Sequence, residues 1–396
     1  MMPGRRPPTP MSFARVLSAM MIGVLIGGLL ACLQISPLLA QSPAASPVAA
    51  GVDARTEVTV DFPAGLHLKT TLSVPGEPID ITSDEVDLIF QTGDEDAEHL
   101  IIVPVSDLTQ VNATAIFVVT AVDFQRASVP PGLELTFWWR IERNGHLIAA
   151  STPERTSWFD NRQDWTELSS DQIQLHYFNL EPGFAQQILD SAQSTVTELE
   201  TSYSLERSRM LSIWIYPDQA SFRGSLPANS RDTIAGGSFI GYSLITAVIP
   251  NGSTSEIGRI IPHEVSHQVL FQATQNPFTV LPVWFDEGMA THTQIGGTSA
   301  FMGMVINASR NDALFNLPSL AASFPFDPSQ ATLAYAASWS AIDYIEQTYG
   351  EKGIAAMIEA YKSGVSGDQV IQHALGITME QLNADWKAWV ASQHPS

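Results

Sequence analysis

Short runs of alternating hydrophobic and polar residues occupy the first part of the chain, between residues 57 and 151. Alternation with a period of two is expected of β-strands that bury one face. Turn residues separate the runs, and the Asn144-Gly145 pair between two of them predicts a β-hairpin. The predicted strands are 57–62, 66–74, 86–91, 100–105, 115–122, 133–142 and 147–151. So many short strands in about a hundred residues predict an immunoglobulin- or fibronectin-like β-sandwich.

The pattern changes after residue 158, where helical periodicity becomes dominant. Residues 173–178 and 210–216 still alternate as strands, and 235–249 contains a further apolar run. In 183–202, hydrophobic residues recur every three or four positions, as they do on one face of a helix. The other predicted helices are 331–349, 352–361, 368–375 and 378–391, with Gly350 ending the first of these. This mixture predicts an α+β, mostly helical domain after the sandwich.

The N-terminal residues predict export. Residues 1–15 carry three arginines and no acid, residues 16–51 carry no charge, and 16–33 is nearly all apolar. A basic start followed by such a run is typical of a targeting segment whose N-terminus lies in the cytoplasm. Residues 1–40 are therefore a cleaved signal peptide or a retained membrane anchor, and the rest of the chain faces the outside in both cases. The segment Leu29-Leu30-Ala31-Cys32 resembles a lipoprotein signal and leaves lipidation as a less favoured alternative.

These patterns divide the chain into four segments. Residues 1–40 are the signal peptide or anchor, and 41–53 form a linker rich in Pro, Ala and Ser. Residues 54–157 form the β-sandwich domain, and 158–396 form the α+β domain.

Charge limits the possible binding partners, and cysteine content limits how the fold can be stabilised. The 396 residues carry a net charge of −22. Such an excess of acid argues against nucleic acid and against an anionic membrane surface as binding partners. The single cysteine, Cys32, allows no intramolecular disulfide, so packing must stabilise the fold.

One stretch carries candidate chemistry: residues 261–267 read Ile-Pro-His-Glu-Val-Ser-His. On a helix, His263 and His267 lie one turn apart on the same face, close enough for both imidazoles to bind one metal ion. Glu264 lies about 60° around the helix from His267, where its carboxylate can take a proton from a water molecule. This is the HExxH arrangement of zinc-dependent hydrolases. The apolar residues around the motif argue against the alternative, a surface helix with two exposed histidines.

A catalytic zinc ion keeps three protein ligands and one open position. Glu287 is the candidate for the third ligand, because the nineteen residues between it and His267 leave room for a turn and a second helix. Trp284 and Phe285 would anchor that second helix in the core. Gly288 would let it pack closely against its neighbours.

The HExxH motif and the later segment Trp284-Phe285-Asp286-Glu287-Gly288 together resemble the gluzincin metallopeptidases of the peptidase MA clan, which carry Trp-x-x-Glu-Gly after HExxH. The metzincin pattern fails, because Leu270 and Ala273 occupy the positions where it needs Gly and His. Pro262 departs from the gluzincins, which usually have an ordinary apolar residue there, and it predicts a kink or a helix start beside the first histidine. The chain looks like a bacterial peptidase-MA-like metallohydrolase with an N-terminal β-sandwich.

The resemblance implies one Zn2+ ion held by His263, His267 and Glu287, with Glu264 as the general base. Tyr335 opens a Tyr-Ala-x-Ser segment similar to one that follows the zinc site in such proteins. Its phenol would donate to the oxyanion of the tetrahedral intermediate, and core packing is the alternative interpretation. By the same resemblance, an edge strand within 235–249 would bind the peptide backbone, with a plain hairpin as the alternative.

The sequence thus favours an exported zinc metallopeptidase that acts on a peptide or protein substrate through a metal-activated water. The rival hypothesis is an extracellular binding or adhesion protein in which the zinc is structural and the sandwich provides the interaction surface. A structural zinc normally has four protein ligands. Because no fourth candidate lies at helical spacing, the enzyme is the favoured hypothesis.

Overall fold

The computed structural model describes residues 50–393, apart from 64, 77, 93–98, 104–107, 112–114, 123–129, 208, 224–235 and 366. The predicted signal peptide or anchor (1–40) and residues 41–49 of the predicted linker lie outside the described residues. Among the helices that are described, none is both long enough and apolar enough to cross a membrane. The described residues up to Gln163 form one compact unit, and those from Asp164 to Phe222 and from 236 onward form another. The predicted segment boundaries stay predictions.

The N-terminal unit is built from strands. They are β1 (Ala50–Asp61), β2 (Gly65–Ser73), β3 (Asp84–Thr92), β4 (His99–Ile102), β5 (Leu108–Val111), β6 (Ala115–Val122), β7 (Leu133–Arg143), β8 (His146–Ser151) and β9 (Glu154–Trp158). The predicted β-rich character is confirmed. Strands β5 and β9 were not predicted, because β5 has only four residues and β9 is mostly polar.

The strands are linked in the order β4-β3-β7-β8-β1-β2-β6-β5, and β9 pairs with β7 outside this order. Strand β1 changes partner along its length: 50–52 pair in parallel with β8, and 53–61 pair antiparallel with β2. This connected arrangement does not establish an immunoglobulin- or fibronectin-like sandwich, and that finer class stays a prediction.

The long strand β7 shows why these residues form a sheet with a buried face. Every second residue of it is buried: Leu133, Leu135, Phe137, Trp139 and Ile141. Trp139 is fully buried, whereas its neighbour Trp138 is only half-buried, because successive side chains of a strand point to opposite faces.

The second unit contains a five-stranded sheet in the order β10-β11-β12-β14-β13. Its strands are β10 (Thr166–Ser169), β11 (Ile173–Tyr177), β12 (Leu211–Tyr216), β13 (Gly236–Phe239) and β14 (Leu244–Val248). The three central strands are parallel, and β10 and β13 pair antiparallel at the two edges. The predicted strands at 173–178 and 210–216 are confirmed.

Helices make up most of the rest of this unit. They are α1 (Pro182–Tyr203), α2 (Gln219–Arg223), α3 (Thr254–Thr274), α4 (Val283–Thr293), α5 (Phe301–Arg310), α6 (Pro328–Lys362), α7 (Asp368–Leu375) and α8 (Met379–Ser392). Gly350 interrupts α6 with a φ of 71°, a left-handed conformation that favours glycine, so the predicted break there is confirmed. A helical C-terminal unit was correctly predicted, whereas the individual helices α2 and α5 were not.

Helix α3 continues through Pro262, so a helix start at this point is wrong. Proline has no N–H for the carbonyl four residues earlier, which belongs to Gly258. That carbonyl instead accepts a hydrogen bond from the backbone N–H of Ile295, at 2.8 Å. The helix tolerates the proline because the carbonyl has found another donor.

Candidate metal centre

Two helices carry the residues of the candidate site. Helix α3 supplies His263, Glu264 and His267, and α4 supplies Glu287. Helix α4 is held by Trp284 and Phe285, which are fully buried in the core of the unit. A turn of eight residues, 275–282, separates the two helices and lets them lie side by side.

Gly288 explains how α4 comes so close to the long helix α6. A β-carbon at this position would lie 2.8 Å from the Ser338 carbonyl oxygen and 2.8 Å from a side-chain carbon of Ile342. Real β-carbons do not approach other atoms this closely, so only glycine fits. The packing of α4 against α6 in turn determines where the neighbouring Glu287 carboxylate lies.

The structure brings His263, His267 and Glu287 together, and we call these three residues the triad. The two imidazole Nε2 atoms are 3.3 Å apart. Oε2 of Glu287 lies 3.4 Å from Nε2 of His263 and 3.6 Å from Nε2 of His267. Two ligands of a tetrahedral zinc ion with bonds of about 2.0–2.1 Å are separated by about 3.3–3.4 Å. The triad therefore matches three corners of such a coordination shell.

Burial and opposite charge act against each other within the triad. Burial alone would raise the pKa of Glu287, but the charge of His267 and the contacts with both imidazoles outweigh it and lower this pKa to about 2. Burial alone would lower the pKa of His267, but Asp286 and Glu287 outweigh it and raise this pKa well above its ordinary value. The buried Glu287 carboxylate is thus ionised beside the two imidazoles.

Each imidazole has a second polar partner that sequence reasoning did not find. Oδ2 of Asp286 lies 3.0 Å from Nδ1 of His267, and the side-chain amide of Gln294 lies 2.8 Å from Nδ1 of His263. Partners of this kind hold the ring of a metal-binding histidine in place. Asp286 directly precedes Glu287 in the acidic segment, so its sequence position could have indicated that it lies near the site. Gln294 follows α4 and has no local sequence signal.

Glu264 lies beside the triad and next to the edge strand β13. Burial raises the pKa of its carboxyl, and the neighbouring imidazoles of His263 and His267 oppose this increase. A β-carbon at Gly236 of β13 would lie 2.9 Å from Oε1 of Glu264. Glycine at this position therefore allows the strand to pass directly beside the carboxylate.

Tyr335 on α6 also lies at the site, with its ring centre 6.4 Å from that of His263. Its ring packs edge-on against Phe324, at 5.0 Å between centres. Burial raises the pKa of its phenol, and the negative charges of Glu287 and Glu264 raise it further. The phenol therefore keeps its proton and can act as a hydrogen-bond donor.

A second group of acidic residues lies in the N-terminal unit. Glu85, Asp87 and Glu142 have carboxylate oxygens within 4.8 Å of one another, and we call this group the acidic patch. Arg140 lies among them, with Nη2 at 3.6 Å from Asp87 and 3.8 Å from Glu142. No imidazole belongs to the patch.

His292 lies elsewhere on α4. Its Nε2 is 3.5 Å from a carboxylate oxygen of Glu346, and it is not part of the triad.

The sequence matches a family model described as the Peptidase MA superfamily over residues 191–392, which is just over half of the chain. This region contains α3, α4 and all residues of the triad. No curated protein sequence matches the chain.

Several solved structures are similar to the chain. A variant of a two-domain M1 zinc metallopeptidase bound to L-arginine has 12% identity and a TM-score of 0.41, covering 87% of this chain and 95% of that one. An aminopeptidase N family protein from Idiomarina loihiensis has 12% identity and a TM-score of 0.43, covering 87% and 76%. The M1 zinc metallopeptidase from Deinococcus radiodurans has 12% identity and a TM-score of 0.37, covering 88% and 95%. Scores this low do not by themselves establish a shared fold.

The family match covers the HExxH motif and the Trp-x-x-Glu-Gly segment on which the predicted family rested. The chain therefore belongs to the peptidase MA superfamily, and the prediction that it is a zinc metallopeptidase of the gluzincin type is confirmed.

Proposed function

We propose that this protein hydrolyses peptide bonds at a single zinc ion bound by His263, His267 and Glu287. The observation that carries the proposal is the triangle formed by two Nε2 atoms and one Oε2 atom, with sides of 3.3, 3.4 and 3.6 Å. Three protein ligands leave the fourth position of a tetrahedral shell open, which is the arrangement of catalytic rather than structural zinc sites.

A bound zinc ion would supply Lewis acidity, lowering the pKa of a water ligand to near 7 and polarising the substrate carbonyl. Glu264 is the general base in this proposal. It lies one residue after His263, and burial raises its pKa towards the range in which a carboxylate accepts a proton well. The same carboxyl then delivers the proton to the leaving amine.

Tyr335 would assist at the substrate carbonyl. Its phenol stays protonated because burial and the nearby carboxylates raise its pKa, so it can donate a hydrogen bond to the developing oxyanion. Strand β13 supports the binding of an extended peptide, because it lies at the edge of the five-stranded sheet and passes directly beside Glu264.

We place this activity outside the cell, as a secreted or membrane-anchored enzyme. The basic start and the uncharged apolar run of residues 1–51 support export. We also propose that the N-terminal unit folds as a two-layered sandwich, because β1 exchanges one strand partner for another along its length.

The variant Glu264→Gln tests the proposal. It keeps the shape of the side chain but cannot accept a proton, so we expect zinc binding to be retained and peptide cleavage to fall by about 10²–10⁴-fold. The measurement is chelator-sensitive digestion of a peptide library, with zinc content determined on the same preparations. Glu256→Gln is the matched control, since Glu256 lies on the same helix but pairs with Arg259 at 2.6 Å. Equal cleavage by Glu264→Gln and the wild type would refute the assigned role.

A further inference from the structure

The residues that follow α4 return to α3 and contact it beside the first histidine of the motif. Gln294 directly follows α4, and its side-chain Nε2 lies 2.8 Å from Nδ1 of His263. The next residue, Ile295, donates its backbone N–H to the Gly258 carbonyl oxygen at 2.8 Å. One backbone bond therefore fixes the segment on α3, and the adjacent side chain reaches the imidazole.

Two unusual residues of α3 make this contact available. Pro262 lacks the N–H that would otherwise bond to the Gly258 carbonyl, and its ring disfavours the usual position of that carbonyl. Gly258 leaves the space that Ile295 occupies, because a β-carbon there would lie 2.9 Å from the Ile295 oxygen and 3.2 Å from its Cβ. The irregular part of α3, at Gly258 and Pro262, is therefore the part that the segment after α4 contacts.

The orientation of the amide follows from the chemistry of a zinc-bound imidazole. When Nε2 of His263 is the ligand atom, Nδ1 carries the ring proton and needs an acceptor. A half-turn of the Gln294 amide places its oxygen at the position facing Nδ1 without changing the shape of the side chain. Gln294 can therefore accept a hydrogen bond from Nδ1–H and hold the ring in the plane that points Nε2 at the metal.

The amide of Gln294 is a neutral partner in a site that is rich in carboxylates. The site already contains the carboxylates of Glu264, Asp286 and Glu287, and Asp286 serves as the partner of His267. The amide of Gln294 fixes the second imidazole without adding another negative charge.

We propose that Gln294 is a positioning residue for the zinc ligand His263, and that Gly258 and Pro262 provide the surface of α3 on which it is held. This inference rests on the proposed zinc function. Pro262, the unusual proline of the motif helix, lies where the segment after α4 returns to α3 and so has a role in this contact.

The experiment measures zinc affinity of the whole protein by competition with a chromophoric chelator, using zinc alone as the probe. Gln294→Met keeps the length of the side chain but removes the acceptor, and we expect it to weaken zinc binding by about 10–100-fold. Gln294→Glu restores an acceptor, so we expect affinity at or above that of the wild type. The visible spectrum of the cobalt-substituted protein should change in Gln294→Met and return towards that of the wild type in Gln294→Glu.

Gly258→Ala tests the contact on α3. Its added methyl group should displace Ile295 and lower zinc affinity in the same direction as Gln294→Met. Gln272→Met is the matched control, because this residue of α3 bonds to Arg209 and Ser243 rather than to an imidazole. We expect it to bind zinc as the wild type does.

The outcomes separate this inference from the function on which it rests. If the wild type binds no zinc, the proposed function fails. If the wild type binds zinc and Gln294→Met binds it equally well, or if Gln294→Glu binds more weakly than Gln294→Met, the positioning role is wrong and Gln294 contributes only packing.

Discussion

The triad and the acidic patch each bury a carboxylate beside other ionisable groups, but the pKa of that carboxylate shifts in opposite directions in the two places. Glu287 in the triad has a pKa of about 2, because the charge of His267 and the contacts with both imidazoles outweigh the effect of burial. Asp87 in the patch has a pKa of about 6, because burial and the negative charge of Glu85 outweigh the attraction of Arg140. Burial is common to both, so the nature of the neighbouring groups decides the sign.

The two groups are also assembled differently. The patch arises from the register of one pair of antiparallel strands, in which Glu85 lies opposite Glu142 and Asp87 lies opposite Arg140. The triad joins two helices, and its geometry depends on how α4 packs against α3 and α6. Strand register alone brings the acids of the patch together, whereas a metal site with defined distances needs support from several packed elements.

The largest expected effect comes from removing the carboxylate of the triad. Glu287→Gln leaves a neutral, weaker ligand, and we expect zinc affinity to fall by more than about 100-fold, beyond the 10–100-fold typical of an outer partner. Asp286→Asn is the matched variant on the preceding residue and should show the smaller loss. Chelator competition measures both. Equal losses for the two variants would contradict the assignment of Glu287 as the ligand.

The second largest effect is expected from acidification, which should weaken zinc binding at the triad. The pKa of His267 is raised because Asp286 and Glu287 outweigh burial, so its imidazole binds a proton that zinc must displace. Apparent zinc affinity should therefore fall by up to about tenfold for each unit that the pH is lowered below neutrality. Zinc titrations between pH 7.5 and 5.5 measure this slope. A flat profile over that range would show that no ligand proton competes with the metal.

The packing of α4 can be disturbed without touching a ligand. Gly288→Ala forces a methyl group against Ser338 and Ile342, and we expect a loss of unfolding free energy of about 1–3 kcal/mol together with weaker zinc binding. Gly303→Ala is the control, because a β-carbon there has no neighbour within 4 Å. Alanine at this position of α5 should be neutral or stabilising by up to about 1 kcal/mol. Urea unfolding measures both, and similar effects of the two variants would contradict the close approach.

The smallest effect is expected in the acidic patch. The pKa of Asp87 is raised to about 6, above the ordinary value of 3.8, so its ionisation destabilises the folded state as pH rises through this range. Asp87→Asn should therefore stabilise the protein at pH 7.5 by about 1 kcal/mol, and it should have little effect near pH 4.

Urea unfolding at the two pH values measures this difference. Glu57→Gln, on an exposed position of β1, is the control and should leave the pH dependence unchanged. Destabilisation by Asp87→Asn at pH 7.5 would mean that the ion pair with Arg140 contributes more than burial costs.

The sequence predicted those parts of the site that depend on local spacing. The two histidines are one helical turn apart, and Trp284 and Phe285 mark the helix that brings Glu287 to them, so the triad could be named before its geometry was known. The predicted consequence of Pro262 was partly wrong, because the helix continues through it. The helix tolerates Pro262 because the backbone N–H of Ile295 donates to the Gly258 carbonyl. Ile295 lies thirty-three residues after Pro262 in the chain, and the fold brings it there.

The remaining features depend on contacts between distant segments. Gln294 follows a helix whose end has no distinctive sequence, and Gly236 lies beside Glu264 only because the sheet places β13 there. In the N-terminal unit, alternation predicted most strands but not their order, because period-two patterns show which face is buried and not which strand is adjacent.

Anomalous diffraction from crystals of the purified protein, measured on both sides of the zinc absorption edge, tests the central claim most directly. We predict one zinc peak, about 2 Å from the Nε2 atoms of His263 and His267 and from a carboxylate oxygen of Glu287. The absence of a peak at the triad, or a zinc ion held by the acidic patch instead, would contradict the account.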